Sequence, residues 1–316
     1  MEEPIVKDKA LIIPCSGVGK VHGLIAREVA LRVADEVAPD AADTLCLALL
    51  VKGDEEAVAA VRTRPCITVD GCPKLCSQKN VTLAGGRIAR SLRVVDEFKN
   101  HKGARPGDAT TLAPDGWTIT EAIAADVSDS AATCELPAAH DAQSRPLLST
   151  LDSRPSVPPD SSTPPLLDSS YVGIIACAGE DLPEGTISRL AVRKVMEELR
   201  PDPAVTVCLP LFLAGDAGEQ EFARTYPTIT IDGCDKQCAR CGTEKHSGPV
   251  AAALVVTDLL KDGPKLSGAR SGRLLTDADR AAVDLVAQRI AEIMDRIAER
   301  QQTDDAEDVP VAEGTP

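Results

Sequence analysis

Eight of the chain's eleven cysteines fall into two sets whose spacing repeats, and sulfur at that density suits metal or redox chemistry. The first set is Cys15, Cys46, Cys72 and Cys76; the second is Cys177, Cys208, Cys234 and Cys238. Each set closes on a β-branched run that ends in Asp-Gly-Cys with another cysteine four residues on: ITVDGCPKLC at 67–76 and ITIDGCDKQC at 229–238. Four thiolates wrap a tetrahedral Zn²⁺ in the usual closed geometry of structural zinc. The expectation is therefore a zinc-binding protein with one ion per set, for structure, storage, delivery or sensing, with Cys241 a spare thiol able to exchange with a ligand. Such binding is worth about 10–16 kcal/mol in small zinc modules, against about 5–15 kcal/mol for the whole stability of an ordinary domain. A site of this kind can decide whether each half folds. Four thiolates around a divalent ion leave two negative charges, which Lys74, Lys236 and a helix N-terminus near each Asp-Gly-Cys are expected to offset.

The alternative is an iron–sulfur or thiol-redox protein, for electron transfer or an oxidoreductase reaction, using the same cysteines. Cys234, Cys238 and Cys241 spell C-x3-C-x2-C, the spacing by which radical-SAM enzymes hold a cluster, so an iron–sulfur cluster is the alternative cofactor in the second half. Lys79 stands where the first half would need its third cysteine. A thioredoxin-like switch wants C-x-x-C, whereas both sets have C-x-x-x-C.

The two sets belong to one unit written twice. Adding 162 to a residue number carries Cys15, Cys46, Cys72 and Cys76 onto their counterparts without a gap. The same shift carries Gly17 to Gly179, Gly23 to Gly185, Arg27 to Arg189, Gly53-Asp54 to Gly215-Asp216, Asp70-Gly71 to Asp232-Gly233 and Lys74 to Lys236. An internal duplication is the only simple source of such register. The expected organisation is a first domain over 8–126, a flexible Pro/Ser-rich linker over 127–170, a second domain over 171–300 and a disordered acidic tail over 301–316. Seven prolines between Pro137 and Pro165 speak for the linker.

Within each half, apolar runs alternate with helical spacing. ALIIPC and VGIIAC, LCLALLV and VCLPLFL, CITVDG and TITIDG, and SLRVVDEF and ALVVTDLL read as strands. Residues 23–38 and 185–200 read as helices, with further helices opening at Gly53-Asp54 and near each Asp-Gly-Cys. Such alternation predicts an α/β fold: two homologous compact domains, each a mostly parallel sheet flanked by helices. A closing amphipathic helix carries Val283, Val286, Ile290, Ile293 and Ile297, with Thr276 as N-cap.

In open parallel sheets, ligand sites lie beyond the carboxyl ends of the strands. Cys15 and Cys72 each follow a strand directly, and Cys76 is expected one helical turn beyond Cys72 on the same face. Cys46 falls near the start of its strand as drawn. Either that strand begins earlier, around Thr44, or the loop folds back to bring Cys46 to the others. Gly71 and Gly233 supply a tight turn or close backbone approach. Asp70 and Asp232 are expected to cap the following helix in preference to acting as catalytic acids.

The halves resemble the DGC-domain family of zinc-binding proteins, named after the Asp-Gly-Cys seen at 70–72 and 232–234. That pattern joins the triplet to an early CSG cysteine, a mid-domain cysteine and a closing one, here Cys15, Cys46 and Cys76, repeated as Cys177, Cys208 and Cys238. The resemblance covers roughly 10–126 and 171–300. It implies zinc binding and no particular reaction.

Other readings are weaker. PCSGVGKVHG suggests a phosphate loop, but Pro14 and Val21 stand where glycine and Ser or Thr are required, so only an anion-binding turn stays open there. Cys66, Cys134 and the four histidines have no counterparts between the halves. A net charge of −15 argues against nucleic acid, which wants clustered Lys and Arg. No signal segment or membrane-length apolar run is present, so the expectation is a cytoplasmic protein with reduced thiols, a metal ion as its partner and no membrane contact. Nothing in the sequence names a protein partner.

Overall fold

A computed structural model describes residues 8–135 and 171–307, side chains being described as far as Gln301. Each half is one four-stranded sheet, all parallel. The first half runs β1 (Ala10–Pro14), α1 (Val21–Arg32), β2 (Ala42–Thr44), α2 (Leu47–Lys52), α3 (Glu55–Thr63), β3 (Pro65–Asp70), α4 (Cys76–Leu83), β4 (Arg87–Arg93), α5 (Val94–Glu97) and α6 (Pro114–Thr133). The second runs β5 (Val172–Ala176), α7 (Pro183–Lys194), β6 (Ala204–Val205), α8 (Leu211–Ala214), α9 (Ala217–Gln220), α10 (Phe222–Thr225), β7 (Thr228–Asp232), α11 (Cys238–His246), β8 (Ala252–Val255), α12 (Val256–Leu259) and α13 (Asp277–Glu307). Strand order is β2-β1-β3-β4 and β6-β5-β7-β8. The chain therefore leaves the first strand in opposite directions for the second and the third, which opens a crevice at the carboxyl ends of β1 and β3, and of β5 and β7.

The central strands β1, β3, β5 and β7 are buried along their whole length, as strands covered on both faces of a parallel sheet are, whereas the edge strand β4 carries Arg87, Arg90 and Arg93 and is largely exposed or half-buried. Along β1, Ala10 and Ile12 enter the core under α1 and α6, while Leu11 and Ile13 enter the core under α2, α3 and α4. Register pairs Ile12 with Ile67 in the first half and Ile174 with Ile229 in the second.

The parallel architecture agrees with the expectation, but several elements do not. LCLALLV and VCLPLFL are not strands: the short β2 and β6 precede them, and helices α2 and α8 follow the cysteines. An apolar run of this length cannot be assigned by periodicity alone. The reason for its uniform apolarity is tertiary. Leu47 and Leu50 of α2 pack in the first half's core, whereas Ala48 and Val51 pack with Ile175, Phe212 and Cys238 of the second half. SLRVVDEF and ALVVTDLL likewise split into the ends of β4 and β8 followed by one-turn helices α5 and α12. The helix after each Asp-Gly-Cys begins only at Cys76 and Cys238.

Helix α6 reaches Thr133, so residues 127–133, assigned to the linker by composition, are its last turns. Residues 301–307 continue α13 in place of the expected disordered tail. The rest of the linker, 136–170, and of the tail, 308–316, lies outside the described residues.

Thr276 and Asp279 form the expected start of α13. The Asp279 carboxylate is buried, which opposes its charge, yet it accepts hydrogen bonds from Ser267 N (2.9 Å) and Oγ (2.6 Å) and from Thr276 N (2.8 Å) and Oγ1 (2.7 Å). These outweigh the burial and hold the carboxyl down at about 2. A folded value below the ordinary one means that the contribution is complete above about pH 4 and is lost as pH falls through the window down to about 2. It is worth about 2 kcal/mol. Urea denaturation of Asp279→Ala and the wild type between pH 5 and pH 2 should show a stability difference that shrinks as the medium is acidified.

Candidate metal centres between the halves

The cysteines sit at the crevices. Cys15 and Cys177 end the first strand of each sheet, and the Asp-Gly-Cys turns end the third. Cys72 and Cys234 lie in the turn itself, ahead of the helix; they do not share a helix face with Cys76 and Cys238. Asp70 and Asp232 cap those helices: the two Asp70 oxygens accept from Ser77 N (2.7 Å) and Gln78 N (3.0 Å), and Asp232 does the same with Ala239 N (2.6 Å) and Arg240 N (3.0 Å). The amides expected to face the sulfurs are thus taken by carboxylates.

Backbone N–H groups serve the sulfurs from elsewhere. Gly71 N donates to Cys15 Sγ (3.1 Å) and Gly233 N to Cys177 Sγ (3.2 Å). Gly71 must be glycine, since a Cβ there would stand 2.7 Å from Gly23 N. Four non-glycine residues have positive φ among those described: Ser16 (44°), Ala178 (48°), Leu75 (56°) and Gln237 (47°). The first two follow Cys15 and Cys177; the others precede Cys76 and Cys238. A left-handed conformation costs about 1–2 kcal/mol per such residue, and strain of this kind collects at functional sites.

The fourth cysteine of each set goes elsewhere than the sequence reading places it. Cys46 follows the end of β2 and is directed into the second half, where its Sγ accepts from Glu180 N (3.0 Å) and Asp181 N (3.1 Å). A Cβ on Gly179 would stand 2.9 Å from Cys46 Sγ and 3.9 Å from Cys177 Sγ. Cys208 enters the first half in the same way: a Cβ on Gly17 would lie 3.7 Å from Cys208 Sγ and 3.9 Å from Cys15 Sγ. The approaches are crossed. Cys208 approaches Cys15 across Gly17, and Cys46 approaches Cys177 across Gly179 and shares a cleft with Cys177, Cys234 and Cys238. The sequence reading places Cys46 with Cys15 and Cys208 with Cys177, and Cys208 and Cys177 also border one small cavity together with Cys15.

Burial leads the shifts of these thiols. With Asp70 as the next cause, it pushes Cys15 up to about 12; with Asp232 it pushes Cys177 up to about 11. Cys76 is raised by burial and then by Cys15, Asp70, Cys208 and Cys72; Cys238 by burial and then by Cys177 and Asp232, with Cys234 adding to the rise. Cys46 is raised by burial and by Glu180 and Asp181. Without a cation the deeper sulfurs are neutral thiols, and none of the eight is in a disulfide.

Residues that the sequence reading left without a role hold the crossing in place. Arg27 and Arg189 are buried, and each reaches into the opposite half. Arg27 donates to Ala178 O (2.6 Å), Gly179 O (2.9 Å) and Thr186 Oγ1 (2.8 Å). Arg189 donates to Ser16 O (2.9 Å), Gly17 O (3.1 Å) and Ala109 O (2.9 Å). Glu180, 3.7 Å from Arg27, accepts a short hydrogen bond from Ser16 Oγ. Burial raises Glu180 to about 7 against the pull of Arg27. The motif lysines cross as well: Lys74 Nζ lies 2.9 Å from Glu219 and 3.4 Å from Asp216, and Lys236 Nζ lies 3.0 Å from Asp54. The available signal was register: these arginines, lysines and aspartates repeat at the cysteine offset.

The remaining thiols lie apart from this scheme. Cys241 is the fourth residue of α11 and does not line the cleft beside Cys234 and Cys238. Cys66 is buried in β3, as a small apolar residue would be. Among the described residues, no three His, Cys, Asp or Glu side chains stand, as placed, in a geometry that would hold a metal ion.

The fold and these centres define a duplicated α/β protein with cysteine clusters at its strand ends. The family model of the DGC domain matches residues 11–113 and 173–271, and the chain belongs to that family. No curated protein and no solved structure matches the chain significantly. Among the described residues, no helix is long and apolar enough to cross a membrane.

Proposed function

We propose that this chain binds two zinc ions, each held by three thiolates of one half and the fourth of the other, and that the ions join the halves as well as filling the sites. The observation that carries this reading is the reciprocal crossing of Cys46 and Cys208. One crossing is an accident of packing; two, related by the duplication, amount to a design kept on both sides.

The donor set suits a soft or borderline divalent ion, because thiolate ligands select zinc over magnesium or calcium. The N–H groups aimed at Cys15, Cys177 and Cys46 stabilise negative sulfur, the state a bound ion requires. Loading draws the sulfurs together by turning their side chains, and the thiols must release protons as it happens. The deeper thiols, raised chiefly by burial, make poor nucleophiles, which favours metal holding over thiol-disulfide chemistry. Persistent thiols also fit a reducing compartment such as the cytoplasm.

Purified, reduced protein is expected to be colourless and to carry close to two zinc atoms per chain by elemental analysis. Brown protein with stoichiometric iron and sulfide would replace this reading with the iron–sulfur one. Absence of any tightly held metal would remove both.

A further inference from the structure

The two clusters have diverged in what surrounds them. Beside Cys46, Cys177, Cys234 and Cys238 lies a cleft of about 450 Å³, within the range of small-ligand sites. Leu45, Leu49, Ala57, Ala60 and Leu182 give it an apolar wall, and charged side chains border the rest. The cavity that touches Cys15 and Cys208, and Cys177 with them, measures only about 10 Å³, room for one water at most.

One substitution between the halves accounts for part of the difference. In the second half Asp216 and Glu219 form a capping box at the start of α9, and both carboxylates clasp Lys74, between Cys72 and Cys76. In the first half the equivalent helix, α3, is capped by Asp54, but alanine, Ala57, stands where Glu219 would be. Lys236 is left with Asp54 and a longer contact of 3.8 Å to Glu56, whose side chain is almost fully exposed. The space a glutamate would fill belongs to the cleft.

Resting on the two-zinc reading, we propose that the ion held with Cys234 and Cys238 is the exchangeable one, passed to or taken from a small, uncharged molecule with soft donor atoms that enters this cleft, while the ion held with Cys72 and Cys76 is sealed and structural. The apolar wall favours an uncharged visitor. Asp54, Glu56, Asp181 and Asp235 border the cleft against the single ammonium of Lys236, an excess of negative charge that repels an anionic visitor.

The test uses the zinc-loaded full chain and two chelators: 1,10-phenanthroline, which is neutral, and EDTA, which is anionic. Zinc left on the protein is followed by elemental analysis after rapid desalting. Two phases of equal amplitude are expected with phenanthroline, the fast one about tenfold faster or more, because the sealed site must wait for a local opening whose population falls tenfold per ~1.4 kcal/mol. EDTA should show a much smaller fast-phase advantage. Ala57→Glu, which restores the capping box and removes no cysteine, should slow the fast phase toward the slow one with two zinc atoms still bound. Glu219→Ala should speed the slow phase. Equal release of both ions, or a fast phase untouched by Ala57→Glu, overturns the proposal while leaving two-zinc binding intact. Wild-type protein that never holds two zinc atoms overturns the metal reading and this proposal with it.

Discussion

Cys46→Ser should empty the site of the opposite half. The variant is expected to retain about one zinc per chain, the ion held with Cys15, Cys72 and Cys76. The double variant Cys46→Ser/Cys234→Ser should hold no less than either single variant, because both residues serve one ion. Cys46→Ser/Cys72→Ser should lose both ions. Loss of a thiolate should weaken the affected site by more than about 100-fold, since removing even an outer partner of a metal ligand costs 10–100-fold. Grouping within each half would give the reverse pattern, with Cys46→Ser and Cys72→Ser sharing one ion. Elemental analysis of the singles and doubles therefore separates the two arrangements whatever the absolute affinity. The structural basis is the seating of Cys46 Sγ against the amides of Glu180 and Asp181 and the matching approach of Cys208 to Gly17.

The second large effect is expected at the buried arginines. Arg27→Met leaves three acceptors without their donor and removes the cation nearest the buried Glu180. Breaking a buried ionic contact from one side costs about 3–5 kcal/mol, a large share of a domain's stability. Arg189→Met also leaves three acceptors bare, but no carboxylate lies beside it comparable to Glu180 beside Arg27. Burial, followed by repulsion from Arg27, lowers Arg189 to about 10, so its removal relieves a conflict while it breaks the hydrogen bonds. About 1–3 kcal/mol is expected for Arg189→Met. Guanidinium denaturation of the metal-free protein should rank Arg27→Met as the more damaging. The opposite order would mean that Glu180 does not depend on Arg27. Both variants should also loosen metal binding, because the loops they hold carry Ser16, Gly17, Ala178 and Gly179 around the sulfurs.

Much of the first layer of this protein was legible before any coordinates. The duplication follows from register alone, and the parallel sheet from alternating apolar runs and helices. The capping role of Asp70 and Asp232 was readable too, because an aspartate between a strand end and a helix has few other uses. Helix α2 was not legible. Its residues are apolar all round since Leu47 and Leu50 face one half while Ala48 and Val51 face the other. A segment buried on two sides loses the periodicity by which helices are recognised. Arg27 and Arg189 were visible as repeated residues, yet nothing local says that a charged side chain in an apolar helix will reach carbonyls more than 150 positions away.

The sequence by itself determined the building unit: four cysteines per repeat, the strands and turns that carry three of them to one crevice, and the glycines that let the backbones meet there. Those three cysteines are fixed by local elements, because each follows a strand or starts the next helix within the same sheet. Only the tertiary structure decided beside which half's loops the fourth cysteine sits. Cys46 and Cys208 sit at equivalent places in two copies of one fold, and an equivalent placement within the chain is compatible with either neighbour. The choice is made by packing between the halves, where α2 wedges into the opposite core and the arginines pull the opposite loops in. Such long-range contacts leave no periodic trace in the order of the residues.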